Sequence, residues 1–191
     1  MPLLGTFAGA GARAYGAGAG GVLVGDFESI STTTLTGTQA TVNFTSIPQT
    51  YSHLQIRIFG RNNMVGTNQK EYFKMQFNSD TTTTNYRRHE IVADGAGVST
   101  GNYQDAIMIG ITPNTTSTFS GSITDILDYK NTNKYKVSKT ISGYDGNGFG
   151  ECHFNSGLWI NTAAITSINL SAFNGNSFVQ YTSIALYGVN A

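Results

Sequence analysis

Apolar and polar residues alternate one by one along most of this chain. Leu54, Ile56 and Ile58 are separated by Gln55 and Arg57, Phe73, Met75 and Phe77 by Lys74 and Gln76, and Ala40, Val42 and Phe44 by Thr41 and Asn43. Successive side chains of an extended strand point to opposite faces, so each such segment has one face to bury and one to leave in water. The stretches 26–35, 106–111, 120–129, 135–144, 152–160, 165–173 and 178–189 read the same way, giving about nine or ten strands by the spacing rule. Turn-forming residues stand between them: Thr36-Gly37-Thr38-Gln39, Asn78-Ser79-Asp80, Asp94-Gly95, Asn131-Thr132-Asn133, Asp145-Gly146-Asn147-Gly148 and Asn174-Gly175-Asn176. Helical periodicity is missing from longer stretches, with one turn expected near 161–164. The expected fold is all-β, an antiparallel, jelly-roll-like β-sandwich, with a closed barrel as the alternative.

One region breaks the pattern. The first 21 residues contain seven Gly and six Ala, with little side chain to bury on themselves. The chain therefore divides into an extended N-terminal arm, 1–25, and a sandwich domain, 26–191. Fully extended, 21 residues reach roughly 70 Å. Leu3, Leu4, Phe7 and Tyr15 are the apolar anchors such an arm offers a host surface, and Arg13 its one charge for pairing with an acid.

Charge narrows the function classes. Lys plus Arg and Asp plus Glu are both 11, and charged residues make up 12% of the chain, about half the usual share. No broad field is present to recruit nucleic acid or anionic membrane. No apolar run approaches the roughly 20 residues that span a bilayer, and the N-terminus lacks the basic region and apolar core of a secretory signal. The expectation is synthesis in a cytoplasm, with no membrane insertion. The single cysteine, Cys152, excludes an internal disulfide and is expected to be a small buried hydrophobe.

Motifs for chemistry are weak. The glycines of Gly16-Ala17-Gly18-Ala19-Gly20-Gly21 lack the order of a dinucleotide fingerprint, and no Lys-Ser or Lys-Thr completes a phosphate loop. The segment from Asp145 to Glu151 offers oxygens at alternate spacing but has Phe149 where a calcium loop needs a ligand, so it reads as a hairpin tip and no metal is assigned. His53, His89 and His153 fall on different strands, and Cys152 and His153, being adjacent, must face opposite ways. Asp125, Asp128, Asp145 and Glu151 provide acids for glycoside cleavage, but without a specific spacing. Arg87, Arg88 and His89, with Lys70 and Lys74 on a neighbouring strand and Glu71 and Glu90 alongside, read as a salt-bridged face. The expectation is a protein that is no enzyme and carries no cofactor. The tyrosines are more suggestive. Tyr72, Tyr86, Tyr103 and Tyr144, like Tyr129 and Tyr135, fall at strand ends or loops, where rings stack on sugars or line subunit interfaces.

The run from Gly37 to Ile56, a strand followed by Ile47-Pro48 and the Thr50-Tyr51 turn and then an alternating strand, resembles the opening of a β-domain common in virion proteins of tailed bacteriophages. Ser156-Gly157-Leu158-Trp159, the run Ala163 to Leu170 and the ending Ser183 to Val189 are similar to its closing half, so the likeness spans most of residues 26–189. It implies a virion protein of tail-fibre, tail-tip or head-decoration type, used for host attachment or particle stability. Such domains form symmetric oligomers, often homotrimers, and partner other proteins of tail or capsid. Heptads and a repeated shaft are missing here, which favours a short appendage over a complete long fibre. The alternative is a receptor-binding module whose loop tyrosines hold a cell-surface glycan.

Overall fold

A computed structural model describes residues 26–66, 70–146 and 148–190. The arm residues Leu3, Leu4, Phe7, Arg13 and Tyr15 lie outside the described residues, as does Asn147. Among the described residues there are twelve strands: β1 (Phe27–Thr34), β2 (Thr41–Phe44), β3 (His53–Gly60), β4 (Lys70–Phe77), β5 (Tyr86–Ala93), β6 (Val98–Tyr103), β7 (Ile107–Pro113), β8 (Ser120–Leu127), β9 (Lys136–Asp145), β10 (Gly150–Trp159), β11 (Ile168–Ala172) and β12 (Ser183–Val189). They form two antiparallel sheets packed as a sandwich. The larger has the order β1-β12-β3-β8-β9-β10-β5-β6 and the smaller β2-β11-β4-β7.

The alternating segments bury the faces their pattern predicts. Leu54, Ile56 and Ile58 of β3 join Ile184 and Leu186 of β12 and Ile126 of β8 on one side. Val42 and Phe44 of β2, Phe73, Met75 and Phe77 of β4, and Ile168 and Leu170 of β11 meet them from the other, none of these more than 5% exposed. Each such side chain contributes about 1.5–3 kcal/mol over its exposed state. Phe73 stacks on Phe178 with ring centroids 3.6 Å apart, and Phe77 tilts against Trp159 at 5.4 Å. Aromatic pairs of this kind add to the burial of their area.

The ends of the core are closed by polar groups that are themselves satisfied. The Tyr86 hydroxyl donates to the Asp80 carbonyl at 2.9 Å and accepts the Phe77 N–H at 3.1 Å. The Asp80 carboxylate in turn accepts from the Trp159 indole N–H at 2.8 Å and from Asn85 at 2.9 Å. Burial opposes its ionisation, but these bonds prevail and hold its carboxyl below the usual carboxylate range. Lys136, fully buried, donates to the carbonyls of Asn131, Lys134 and Thr162 at 2.6, 2.8 and 2.9 Å, ending in three acceptors the loops would otherwise leave unpaired.

Two strands go beyond the ten predicted segments, and their residues explain why. The inward side of β5 presents Tyr86, Arg88 and Glu90, so charge stands where alternation looks for an apolar residue. β6 is an edge strand with no buried residue. Near 161–164 the expected turn of helix is irregular loop, with the Ala163 N–H held by Asn161 Oδ1 at 2.8 Å. The one helical element among the described residues is a short 3-10 turn, Thr83–Asn85. The punctuation is as read: Asn78 and Ser79 take positive φ (50° and 58°), as does Gly175 (77°).

Candidate functional site

β9, β10 and β5 of the large sheet pack over the β7 and β4 side of the small one, and their facing side chains are polar. The Thr140 hydroxyl meets that of Thr124 at 2.8 Å and donates to the Met108 carbonyl at 3.2 Å. Further along the same strands the layer becomes ionic and opens to the surface. There the start of β4, the end of β9, the start of β10 and the turn after β5 meet around one opening of about 470 Å³, lined by Lys70, Asp94, Tyr144, Gly148, Phe149, Gly150 and Glu151.

Glu151 organises this opening. One of its carboxylate oxygens pairs with the Lys70 ammonium, and the other lies 2.8 Å from His153 Nε2. Alternation on β10 makes this possible, because residues 151 and 153 share a face. His153 is buried, and the Tyr72 ring stands against it edge-on at 5.8 Å. Tyr144 packs edge-on against Phe149 at 6.0 Å. Burial raises the hydroxyl pKa of both Tyr72 and Tyr144, and the Glu151 carboxylate adds to the effect. For Lys70, burial works against the charged form, yet the bond to Glu151 outweighs it and the ammonium titrates higher than usual. Asp94 is held low by the backbone N–H groups of Gly97 and Ala96, which its Oδ1 accepts at 2.8 and 2.9 Å in the β5–β6 turn.

A second ionic group lies beside it. The Arg88 guanidinium, 8% exposed, binds Asp105 through Nε and Nη2 at 3.0 and 3.1 Å and Glu90 through Nη1 at 2.7 Å. It also lies 4.0 Å from the centre of the Tyr103 ring and 5.1 Å from that of Phe173. A fork with its donors this fully engaged is a structural knot and has little left for a ligand.

The structure redistributes the residues singled out from the sequence. Tyr144 lines the opening beside Phe149 and Tyr72 stands against His153, while Tyr103 is 41% exposed at the β6 edge over Arg88. Tyr86 corrects the reading of strand-end tyrosines as surface rings: it is fully buried and cannot meet a glycan. Cys152 also corrects expectation, being exposed, with His153 on the opposite face of β10. The salt-bridged face forms in pieces, with Arg88 paired to Glu90, because β4 and β5 belong to different sheets. Lys70 goes to Glu151, Arg88 to Glu90 and Asp105, Lys74 to the Phe173 ring at 5.6 Å, and Glu71 is buried under Asn174 and Asn176. His53 accepts the Asp128 N–H at 3.0 Å, far from the other two histidines in strand order. The Lys70 contact was missed because its partner lies 81 residues away; the shared parity of Glu151 and His153 was the only local signal.

What this arrangement can do follows from its pKa shifts and partners. Glycoside cleavage needs a carboxyl that stays protonated near neutrality beside a second that is ionised. Asp94 is shifted the opposite way and Glu151 is paired with two cationic or proton-donating groups. Asp125 accepts from Gln55 at 2.7 Å and Asp128 from Lys134 at 2.8 Å, each outside the opening. Among the described residues no three of His, Cys, Asp or Glu gather as metal ligands, and no helix is long and apolar enough to cross a membrane. Aromatic rings beside a fixed ion pair, at the rim of an open depression, suit a polar, hydroxyl-rich ligand. No protein-family model matches the chain, and a search of curated proteins finds no match either.

Proposed function

We propose that this chain is a non-enzymatic structural component of a tailed-bacteriophage virion: a short appendage of tail or head, anchored by its N-terminal arm, 1–25, and exposing the sandwich of residues 26–191. Strand order is the observation that carries the reading. With the hairpins β5–β6 and β9–β10 set aside, eight strands remain, and in chain order they lie as first, eighth, third and sixth in one sheet and second, seventh, fourth and fifth in the other. That winding is a jelly roll, an architecture used by capsid and lectin domains. Fold alone does not assign a role. The resemblance of the segments 37–56, 156–170 and 183–189 to virion domains supplies the rest, and the two hairpins are additions that widen one sheet. In this reading copies associate as a homo-oligomer, a trimer being favoured, and meet other tail or capsid proteins through Leu3, Leu4, Phe7, Arg13 and Tyr15. The protein is made in the host cytoplasm and resides in the particle, without nucleic acid, membrane or cofactor.

The test is incorporation. Particles assembled with a chain lacking residues 1–25 should be depleted of the sandwich while the isolated domain still folds; incorporation at the unaltered level would refute the anchoring role.

The opening around Glu151 supports a second reading, recognition of a cell-surface glycan by Tyr144 and the neighbouring Tyr72, with Tyr103 apart from them on the β6 edge over Arg88. A glycan array probed with the intact chain should then show a hit that Tyr144→Ala abolishes. Silence across the array at high protein concentration would dismiss it.

A further inference from the structure

The outer face of the large sheet carries apolar side chains where a solitary sandwich places polar ones. Ile123, Ile141, Phe154 and Ile91 stand directly opposite one another on β8, β9, β10 and β5. They are 47%, 65%, 44% and 50% exposed. Four residues along the strands, Leu127, Val137 and Leu158 form a parallel row. On the other side lies a third row, with Phe59 at one end, Val98 at the other and Gly121, Gly143, Cys152 and Ala93 between them. Bulky ends and small centres make this row a trough, part of a depression of about 610 Å³.

We infer that this face is the surface on which a second copy of the chain packs, sheet against sheet. The shape of the patch selects the occupant. Its rows run across the strands and repeat along them, so it is about 19 Å wide and of similar height, given strands about 4.8 Å apart and a two-residue repeat near 7 Å. An extended arm covers a ribbon one strand wide, whereas a flat sheet covers a square face whole, at the roughly 10 Å spacing of packed sheets. The face is roughly 360–400 Å² in projection, and the relief of its side chains with the flanking Arg57 and Tyr187 brings it toward the roughly 800 Å² per partner of a standard interface. Single-sheet patches of this size are rarely left bare on monomers.

The face also complements itself. Between the apolar rows Asp125 stands opposite Lys139, and a two-fold axis running along the strands between β8 and β9 presents each to its opposite in the partner and lays Ile123 across from the partner's Ile141. This deepens only the self-association part of the reading above, pairing copies two by two in place of the trimer favoured there; it holds whether or not the particle assignment does.

The experiment measures the mass of the full chain in solution across a wide concentration range, together with the rate at which a maleimide labels Cys152. The expected result is a mass that is an even multiple of 20.4 kDa, with Cys152 protected in the associated state. Ile141→Lys should return the mass to 20.4 kDa and release Cys152, with an unchanged circular-dichroism spectrum and a melting temperature that no longer depends on protein concentration. Single-chain mass at every concentration overturns both the inference and the self-association reading. An oligomer unaffected by Ile141→Lys, or one in which Cys152 labels as fast as in the monomer, overturns the inference alone. So does an oligomer that dissociates and exposes Cys152 when residues 1–25 are removed while the face is intact, because the arm would then be the cover. Should Ile141→Lys fail to fold, Cys152 labelling of the unaltered chain against concentration decides the matter.

Discussion

The two halves of the large sheet are built by different physics. Beneath β12 and β3 the interior is apolar: Ile56, Ile58, Ile184 and Leu186 face Phe73, Met75 and Leu170. Beneath β9, β10 and β5 it is a field of hydroxyls, amides and charges: Ser138, Thr140, Ser142, His153, Asn155 and Arg88, all buried. The first region is held by removal of apolar surface from water, which is non-directional and tolerant. The second is held by directional bonds, and every unmade bond there is costly. The contrast teaches where a binding function can arise, because the second region carries ionic groups that reach an opening at its end.

Cutting the apolar half should have the largest effect. Phe77 lies fully buried against Trp159. Phe77→Ala removes the ring and leaves a cavity that strands on both sides prevent from collapsing, so chemical denaturation should show a loss of about 3–5 kcal/mol. A loss below about 1 kcal/mol would mean that this interior is loosely packed and the contrast overstated.

Next is the ionic knot of the polar half. Arg88→Ala strands Glu90, whose side chain is 9% exposed, and removes the bidentate partner of Asp105. Breaking a buried pair from one side should cost about 3–4 kcal/mol. The triple replacement Arg88→Met, Glu90→Leu and Asp105→Asn leaves no buried charge alone and should recover most of that stability. Recovery would separate the knot's contribution to specificity from its contribution to stability. If the single and triple variants melted alike, the cost would lie in lost packing over Tyr103 and Phe173.

These same two regions differ in how far they could be read from the residues alone. β3 and β4 were legible because Leu54-Gln55-Ile56 and Phe73-Lys74-Met75 alternate across an apolar interior. β5 was not, since its inner residues Arg88 and Glu90 look like a solvated face until β10 and β6 are laid beside it. Tyr72 and Tyr144 were legible as candidate rings; Tyr144 lies in the lining of the opening and Tyr72 against His153. Nothing local distinguished them from Tyr86, which has the same strand-end position and lies in the core. Pairing distance is the physical limit: Lys70 and Glu151, or Arg88 and Asp105, are brought together by sheet order, and alternation carries no information about sheet order.

Tyr86 sits where the two regions adjoin and allows the boundary to be sharpened by pH. Burial pushes its hydroxyl up to about 12, well above the value of about 10 it has in an unfolded chain. A raised folded-state pKa favours the proton-bound form, so its contribution is fully present below about pH 10 and is lost as pH rises through about 12. That contribution is roughly 2–3 kcal/mol. An ultraviolet titration should show a late phase of tyrosine ionisation at the onset of alkaline unfolding, smaller by one tyrosine in Tyr86→Phe than in the unaltered chain. If all tyrosines ionised together near pH 10 with the fold intact, the Tyr86 hydroxyl would be reached by water and the core would not close at that point.

The smallest expected effect tests the polar half most directly. Ser138 and Ser142 are buried on β9, 2% and 3% exposed, and neither hydroxyl finds a hydrogen-bond partner within the protein. Two residues away on the same face, Thr140 has two partners. If directional bonds are what stabilise this interior, the three positions must respond differently although they share strand, burial and chemistry. Thr140→Val should cost about 1–2 kcal/mol, because Thr124 loses its partner in a site water cannot enter freely. Ser138→Ala and Ser142→Ala remove hydroxyls whose desolvation was never offset, and should change stability by less than about 0.5 kcal/mol or raise it slightly. Equal losses at all three would place partners on Ser138 and Ser142 beyond the protein's own groups. Equal indifference at all three would mean that shape, and not bonding, holds this half as well, and the distinction between the two interiors would dissolve.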